Sequence, residues 1–584
     1  MSARLPHLLL AAYLCATVIL AACAPQAPQA APPAAKSDAA KPTAAAKPAE
    51  AAKPAAAPPA DPAAAKPAAA APAAPADQRL PKLTIAVGQD VGPLNIYSSD
   101  SAYDWMVELV YDKLLAPSPY VDTPMPGLAE SVTQVDPSTW VVKLRDGVKW
   151  HDGTPFTADD VKFTYESFRD GSPNRYTHHV NDVPKVDKIE IEDARTVRFS
   201  CGYPCPALGQ ITLADLPILP KHIWENVKEP QTYKELPIGT GPYKLVEFKS
   251  DQLYRFQANE GYFMGKPLVD ELVMPIIKDP SAAFTALKTG EVDIAARDVP
   301  PELRAELGRL PNLKLVQTTP LSVVEIKTNF EKVPFNTPEF RRAFSMMVER
   351  QPIVDTVLLG HGQAGTKGYT HPNSPWTKPN ESTPSDPAAA KMLLDDLQYI
   401  DRDGDGIRET PDGQSLEFGL IVPASEPVWL RVAEMAAKQM LDGGIRLTVQ
   451  PLDVGTVRRL FSTRAFETYM AEAGAHAVAD PDQFIMSHRS SNLWKAGVPY
   501  LAWDALWEEW RATTDVESRK QVSFRMQALY NTQPTSVPLY YPATTYAFRS
   551  GTYDQWEEVR GYGLVHKWSL LPAAARVGAI ATPR

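Results

Sequence analysis

From residue 26 to about residue 77 the chain is almost entirely alanine, proline and lysine. Such a segment has no large apolar side chains with which to build a core, and its prolines remove backbone donors, so it stays solvated and semi-extended. At about 3.1 Å per residue it could reach well over 100 Å. The folding part of the chain therefore begins near residue 78. What remains is roughly 500 residues, too many for one ordinary core, so two or more lobes are expected.

The residues before this stretch point to a location. Arg4 supplies a positive charge and residues 8–20 form an apolar run that is too short and wrongly flanked for a membrane span. The run ends in Leu20-Ala21-Ala22-Cys23, which resembles a lipobox. The expectation is a signal peptide at 1–22, lipidation of Cys23, and a tether over 23–78 holding an extracytoplasmic protein on the membrane. The plainer alternative is an ordinary signal peptide that releases a soluble protein.

Charge and cysteine usage fit the same compartment. Acidic residues outnumber basic ones 69 to 59, a net charge of -10, which argues against a nucleic-acid partner. Of the 4 cysteines, Cys15 falls in the signal and Cys23 in the lipobox, leaving Cys201-Gly-Tyr-Pro-Cys205. Across a Gly/Pro turn in an oxidising compartment, these two point to a small disulfide-closed loop. The spacing is not that of a Cys-x-x-Cys redox site, and no further metal ligands lie nearby.

Segment 144–161, LRDGVKWHDGTPFTADDV, reads locally as strand, turn, short strand, turn and helix, with Thr157 as N-cap and Asp160 three residues later. The string closely resembles the signature of the extracytoplasmic solute-binding proteins of the peptide/nickel ABC-importer family, family 5. Ile238-Gly-Thr-Gly-Pro-Tyr243 resembles a second hallmark of that family, and Asn259-Glu-Gly-Tyr262, Gly265-Lys-Pro267 and Arg341-Arg342-Ala343 continue the resemblance. Further on, strands and helices alternate. Residues 283–293 read as a short helix in which Ala283, Phe284 and Leu287 share one face, ended by Gly290 before Glu291-Val-Asp293. Thr337-Pro338 and Asp386-Pro387 start helices, and Gly443-Gly444 stops another.

The resemblance spans about 82–575 and implies an α/β, two-lobed periplasmic-binding-protein fold, class II-like, with an extra subdomain inserted in the first lobe. The implied divisions are lobe I over 79–277 with the insertion at about 124–217, lobe II over 278–541, and a return to lobe I with a C-terminal tail over 542–584. The chain is expected to cross between lobes near Ile277 and to return near Tyr541.

Three motifs need weighing. Gly360-His-Gly362-Gln-Ala-Gly365 satisfies a dinucleotide fingerprint, but a helix precedes it and Pro372 follows, so it reads as a loop. There is no G-x-S-x-G or H-E-x-x-H motif and the histidines are scattered, so an unrecognised hydrolase is the weakest reading and no enzyme is expected. Asp401, Asp403, Asp405, Glu409 and Asp412 occupy positions 1, 3, 5, 9 and 12 of an EF-type loop, with Gly406 at the turn and Ile407 offering its carbonyl. Position 12 is a short aspartate and Ile407 stands one place early, so the loop reads either as a structural calcium site or as an Asp/Gly-rich surface turn. No other cofactor is expected.

The resemblance implies capture rather than chemistry. A solute is held in the interlobe cleft by hinge closure and delivered to ABC permease subunits in the membrane. Peptide is the leading ligand, ahead of an oligosaccharide, opine, haem or nickel chelate, and a tethered sensory or structural binding protein is the alternative outside transport. The protein is expected to be monomeric. In peptide binders of the family an aspartate a few residues before an Asp-Pro-Asp-like string holds the peptide amine. Here the string is Asp480-Pro481-Asp482, its preceding aromatic is missing, and Asp480 is the candidate substitute. Candidate cleft residues are Tyr103, Trp105, Asn329 at the expected lobe crossing, Trp376, His476 and Asp480.

Overall fold

In the computed structural model of the protein the described residues run from Asp77 to Gly578, apart from 78, 91–93, 98–103, 119–122, 172–175, 182–183, 380, 384, 475–480, 482–483, 486–487 and 492–499. Two large mixed sheets, a small four-stranded antiparallel sheet and a two-stranded pair of Leu115–Ala116 with Met125–Pro126 organise them. The first sheet has the order Lys314–Thr318, Thr544–Phe548, Ile294–Ala295, Leu80–Ala86, Val269–Pro275, Leu253–Ala258, Tyr243–Lys249. The second runs Gln363–Ala364, Ser536–Tyr541, Ser322–Thr328, Thr468–Gly474, Glu417–Pro423, Arg446–Leu452. The small sheet, Ala129–Asp136, Thr139–Leu144, Thr196–Cys201, Val186–Asp193, is antiparallel throughout and lies inside the sequence of the first lobe.

Local sequence explains the helices that cover these sheets. Helix Ala158–Asp170 starts where Thr157 N donates to Asp160 Oδ2 at 2.9 Å, and Val161, Tyr165 and Phe168 are buried at helical spacing. Helix Pro280–Thr289 is capped by Asp279, whose Oδ1 accepts from Ala282 N at 2.7 Å, and stops at Gly290 with φ 85°. Each lobe has its own core. Leu83, Ile85, Tyr243, Leu272 and Met274 pack in the first, and Val324, Ile326, Leu420, Val422, Ala433 and Met440 in the second. A third, aromatic cluster of Trp503, Trp507, Trp510, Phe484 and Tyr530 lies under helices Leu501–Ala512 and Val516–Thr532. At about 1.5–3 kcal/mol per fully buried large side chain, these clusters supply the main favourable term for folding.

The two hallmark strings meet in space. His151, in the first, accepts from Gly239 N through Nδ1 at 3.3 Å and donates from Nε2 to Gly241 O at 2.9 Å, both in the second. Burial lowers its pKa to about 4, so the ring is neutral and can do both. A side chain at Gly239 would stand 1.8 Å from Val110 O, which explains glycine there. The Gly360–Gly365 run is a loop. It includes the short strand Gln363–Ala364 on the second sheet, and no helix follows it directly.

The passage between lobes corrects one expectation. The chain does not leave the first lobe near Ile277. Strands Ile294–Ala295 and Lys314–Thr318 both pair with Thr544–Phe548 in the first sheet, so the crossing comes at 319–321, and the return lies at 542–543. No helix among the described residues is long and apolar enough to cross a membrane.

Candidate functional site

Both crossings are fixed by side chains of the first lobe. Outgoing, Thr319 N donates to Glu558 Oε1 at 2.7 Å. Returning, Thr545 N donates to Asp298 Oδ1 at 2.6 Å, and Arg304 Nη2 donates both to Ala543 O and to Asp298 Oδ1, each at 3.1 Å. Two carboxylates of the second lobe join Asp298 here. Glu472 lies on strand Thr468–Gly474, where Ser322 Oγ donates to its Oε1 at 2.5 Å, and Glu426 precedes helix Pro427–Leu441.

The three carboxyls act on one another electrostatically. Glu426 is pushed up to about 7, first by the protein packed around it, then by Glu472, with Arg297 pulling back and Asp298 adding to the rise. Asp298 is pushed up to about 6 by the same surrounding protein, against the pull of Arg304. Glu472 is also raised by its surroundings, although the Ser322 bond opposes this. All three keep solvent contact, since they are exposed by surface area while walled by protein. Carboxylates from both lobes thus converge where the lobes meet, and Arg297 and Arg304 oppose their mutual repulsion. A cation placed among them replaces carboxylate–carboxylate repulsion with attraction.

A cavity of about 490 Å³ lies between the inserted subdomain and the second lobe. Asn181, Lys185 and Tyr203 line one side, and Arg489, Trp507 and Arg511 are among those lining the other.

The structure treats the expected cleft residues differently. Trp105 packs edge-on against Tyr254 and Phe256 of the first sheet, at 5.4 and 6.2 Å. Asn329 is fully buried at the far end of strand Ser322–Thr328 from the crossing. Its Nδ2 donates to Arg464 O and Phe466 O, and its Oδ1 accepts from Glu331 N. It therefore braces a turn and is not at the lobe crossing. Trp376 is buried edge-on against Trp510 at 5.6 Å, and its carbonyl accepts from Gln527, so it belongs to the aromatic core. Tyr103, His476, Asp480 and Cys23 lie outside the described residues. Asp298, Glu426 and Glu472 were not among the sequence candidates. They stand far apart in the chain and each has an unremarkable local context, so only the tertiary fold brings them together.

Cys201 and Cys205 are disulfide-bonded. In the acidic loop, ligand atoms of Asp401, Asp403, Asp405 and Glu409 lie within 4.8 Å of one another. Asp401 accepts from Gly404 N and Gly406 N, Asp403 from Asp405 N, and Asp405 from Ile407 N, which turns the loop around its carboxylates. Hard oxygen donors in this arrangement suit a cation such as calcium. Arg402 competes, since its backbone N donates to Glu409 Oε2 at 2.8 Å. Asp412 is not in the group. Its Oδ1 accepts from Thr410 Oγ1, which corrects its expected place at position 12, and the Ile407 side chain is buried in the second core.

Comparison with known proteins agrees with this architecture. The family model described as bacterial extracellular solute-binding proteins, family 5, middle region, matches residues 123–495. The oligopeptide-binding protein AppA of Bacillus subtilis is 28% identical over 468 residues, covering 77% of this chain and 83% of the relative. The heme-binding protein A of Haemophilus influenzae is 26% identical over 473 residues, 75% of this chain and 83% of the relative. Among solved structures, AppA in complex with a nonapeptide superposes with a TM-score of 0.75 at 25% identity, covering 85% of this chain and 100% of that one. NikZ of Campylobacter jejuni in complex with Ni(L-His) does so with a TM-score of 0.73 at 25% identity, covering 84% and 97%.

Proposed function

Because the chain belongs to the family 5 bacterial extracellular solute-binding proteins, we propose that it captures a peptide between its lobes and presents it to an ABC permease. The observation that supports this most is the convergence of Asp298, Glu426 and Glu472 at the lobe crossing. A peptide brings a cationic amine and often basic side chains. An extended backbone can also be held without reading each side chain, which suits a transporter of mixed peptides. Lobe closure then removes water from the amine and strengthens its bonds to these carboxylates. Asp480, outside the described residues, is proposed as a further amine partner from the second lobe. A charge-assisted hydrogen bond of this type is worth about 1.5–3 kcal/mol.

Three structural roles accompany this reading. Cys23 carries a lipid, the segment 23–78 tethers the protein outside the cytoplasm, and the loop 401–409 takes a structural calcium ion. The protein acts as a monomer and not as an enzyme.

Calorimetry with a mixed library of short peptides tests the function. Binding should weaken on N-acetylation of the library and fall at least tenfold in Glu426→Gln/Glu472→Gln. Binding of oligosaccharides or nickel chelates with no response to any peptide would overturn the ligand class.

A further inference from the structure

Tyr203 occupies the centre of the five-residue loop closed by the Cys201–Cys205 disulfide. The loop is fastened to the small sheet at both ends. Cys201 N donates to Ser138 O at 2.9 Å, Cys205 N to Pro137 O at 2.8 Å, and Trp140 Nε1 to Cys205 O at 3.1 Å. Gly202 N adds a bond to Lys185 O at 3.1 Å, and a side chain at Gly202 would meet Asp187 Oδ2 at 2.6 Å. Covalent closure and these bonds leave the backbone that carries Tyr203 little freedom. The ring faces the second lobe, where the Arg511 guanidinium lies 5.0 Å from its centroid. Arg511 belongs to helix Leu501–Ala512 and is aimed by its ion pair with Glu508 one turn earlier. Both residues line the cavity between the inserted subdomain and the second lobe.

We propose that the disulfide loop is a clasp across the mouth of the cleft, with Tyr203 as its contact residue and Arg511 as its catch. The inserted subdomain thereby takes part in closing the lobes. The cavity it borders is lined by none of the carboxylates at the lobe crossing, so the clasp acts on closure whatever the ligand. The disulfide holds the loop in position, and opening the disulfide frees the loop and weakens the clasp. An exposed cation–π contact of this kind shifts a two-state equilibrium about two- to fivefold.

Single-molecule energy transfer on the peptide-free mature protein reads this directly. Dyes are carried on non-natural residues at Lys188 of the small sheet and Glu517 of helix Val516–Thr532. Tyr203→Leu and Arg511→Gln should each raise the open-to-closed ratio about two- to fivefold, and the double variant should add little more. Tyr203→Phe and Arg511→Lys, which keep the ring and the charge, should match the wild type. Cys201→Ser/Cys205→Ser should resemble Tyr203→Leu. The Tyr203 and Arg511 variants should keep the wild-type melting temperature within a few degrees, since both side chains are only half-buried. An unchanged ratio in Tyr203→Leu and Arg511→Gln would overturn the clasp, as would additive effects in the double variant. Because no peptide is added, failure here is separate from failure of the proposed ligand.

Discussion

Lys567 Nζ donates to Asp112 Oδ1 at 2.8 Å, although 455 positions separate the two residues, and both side chains are at most 1% exposed. They belong to a buried network. Tyr262 and Thr240 donate to the same aspartate at 2.9 and 3.0 Å, and Lys113 Nζ pairs with Glu108 at 2.8 Å. Burial alone would raise the Glu108 pKa, but Lys113 and Lys567 outweigh it and hold the carboxyl below its usual range.

Removing one member of such a network strands the others in the core, at a cost of about 3–5 kcal/mol. Lys567→Met should therefore lose about that much in denaturant unfolding of the mature protein. Because the folded pKa of Glu108 is lowered, its contribution is present above the ordinary carboxylate range and is lost as pH falls through the folded value. Acid titration of stability should be shallower in Lys567→Met than in the wild type.

The cleft carboxyls predict the opposite sign. Their folded pKa values are raised, so the folded state binds protons that the unfolded chain has released. Stability falls as pH rises from about 4.5 toward the values near 6 for Asp298 and near 7 for Glu426. Glu426→Gln should be neutral or stabilising at pH 8 while weakening peptide binding. A bound amine favours the ionised carboxyls, so binding at pH 6.5 should release protons. Calorimetry in buffers of different ionisation enthalpy measures that release, and affinity should decline as pH drops from 7 to 5.

The acidic loop predicts a calcium response. After stripping with chelator, millimolar calcium should raise the melting temperature. Saturation at a hundred times Kd corresponds to about 2.7 kcal/mol. Asp403→Ala/Asp405→Ala should abolish the shift and Asp412→Ala should keep it, because Asp412 stands outside the group of converging carboxylates. An equal shift in all three proteins would mean calcium acts elsewhere.

Lipidation and tethering predict a fractionation result. Full-length protein should sediment with membranes, and Cys23→Ser should release or mislocalise it. Deleting residues 24–77 should leave the melting temperature nearly unchanged, since an Ala/Pro/Lys segment has no core contacts to lose.

What the sequence disclosed depended on how local the physics was. The Thr157–Asp160 box and the Gly290 stop are written within a few residues of themselves and appear where expected, although the helix that Gly290 ends starts at Pro280, earlier than the expected Ala283. The family strings revealed the two lobes, and His151 explains why those strings travel together. The carboxylate cluster was not legible, because Asp298, Glu426 and Glu472 acquire their shared electrostatics only through the crossing of two sheets. Asn329 misled because the start and end of an apolar strand look alike in one dimension. The amide that suggested a ligand contact instead satisfies two backbone carbonyls. Trp376 misled because tryptophan suits a binding wall and an aromatic core equally well.

The order of the first sheet has a consequence for how the chain is made. Strand Leu80–Ala86 is the earliest in the sequence, and strand Thr544–Phe548, which inserts between Lys314–Thr318 and Ile294–Ala295, is nearly the latest. A polypeptide threaded across a membrane from its N-terminus cannot complete that sheet until almost its whole length has emerged. The second lobe, contained within 322–541, can assemble beforehand. The first lobe closes last, so its sheet is complete only once nearly the whole chain is available.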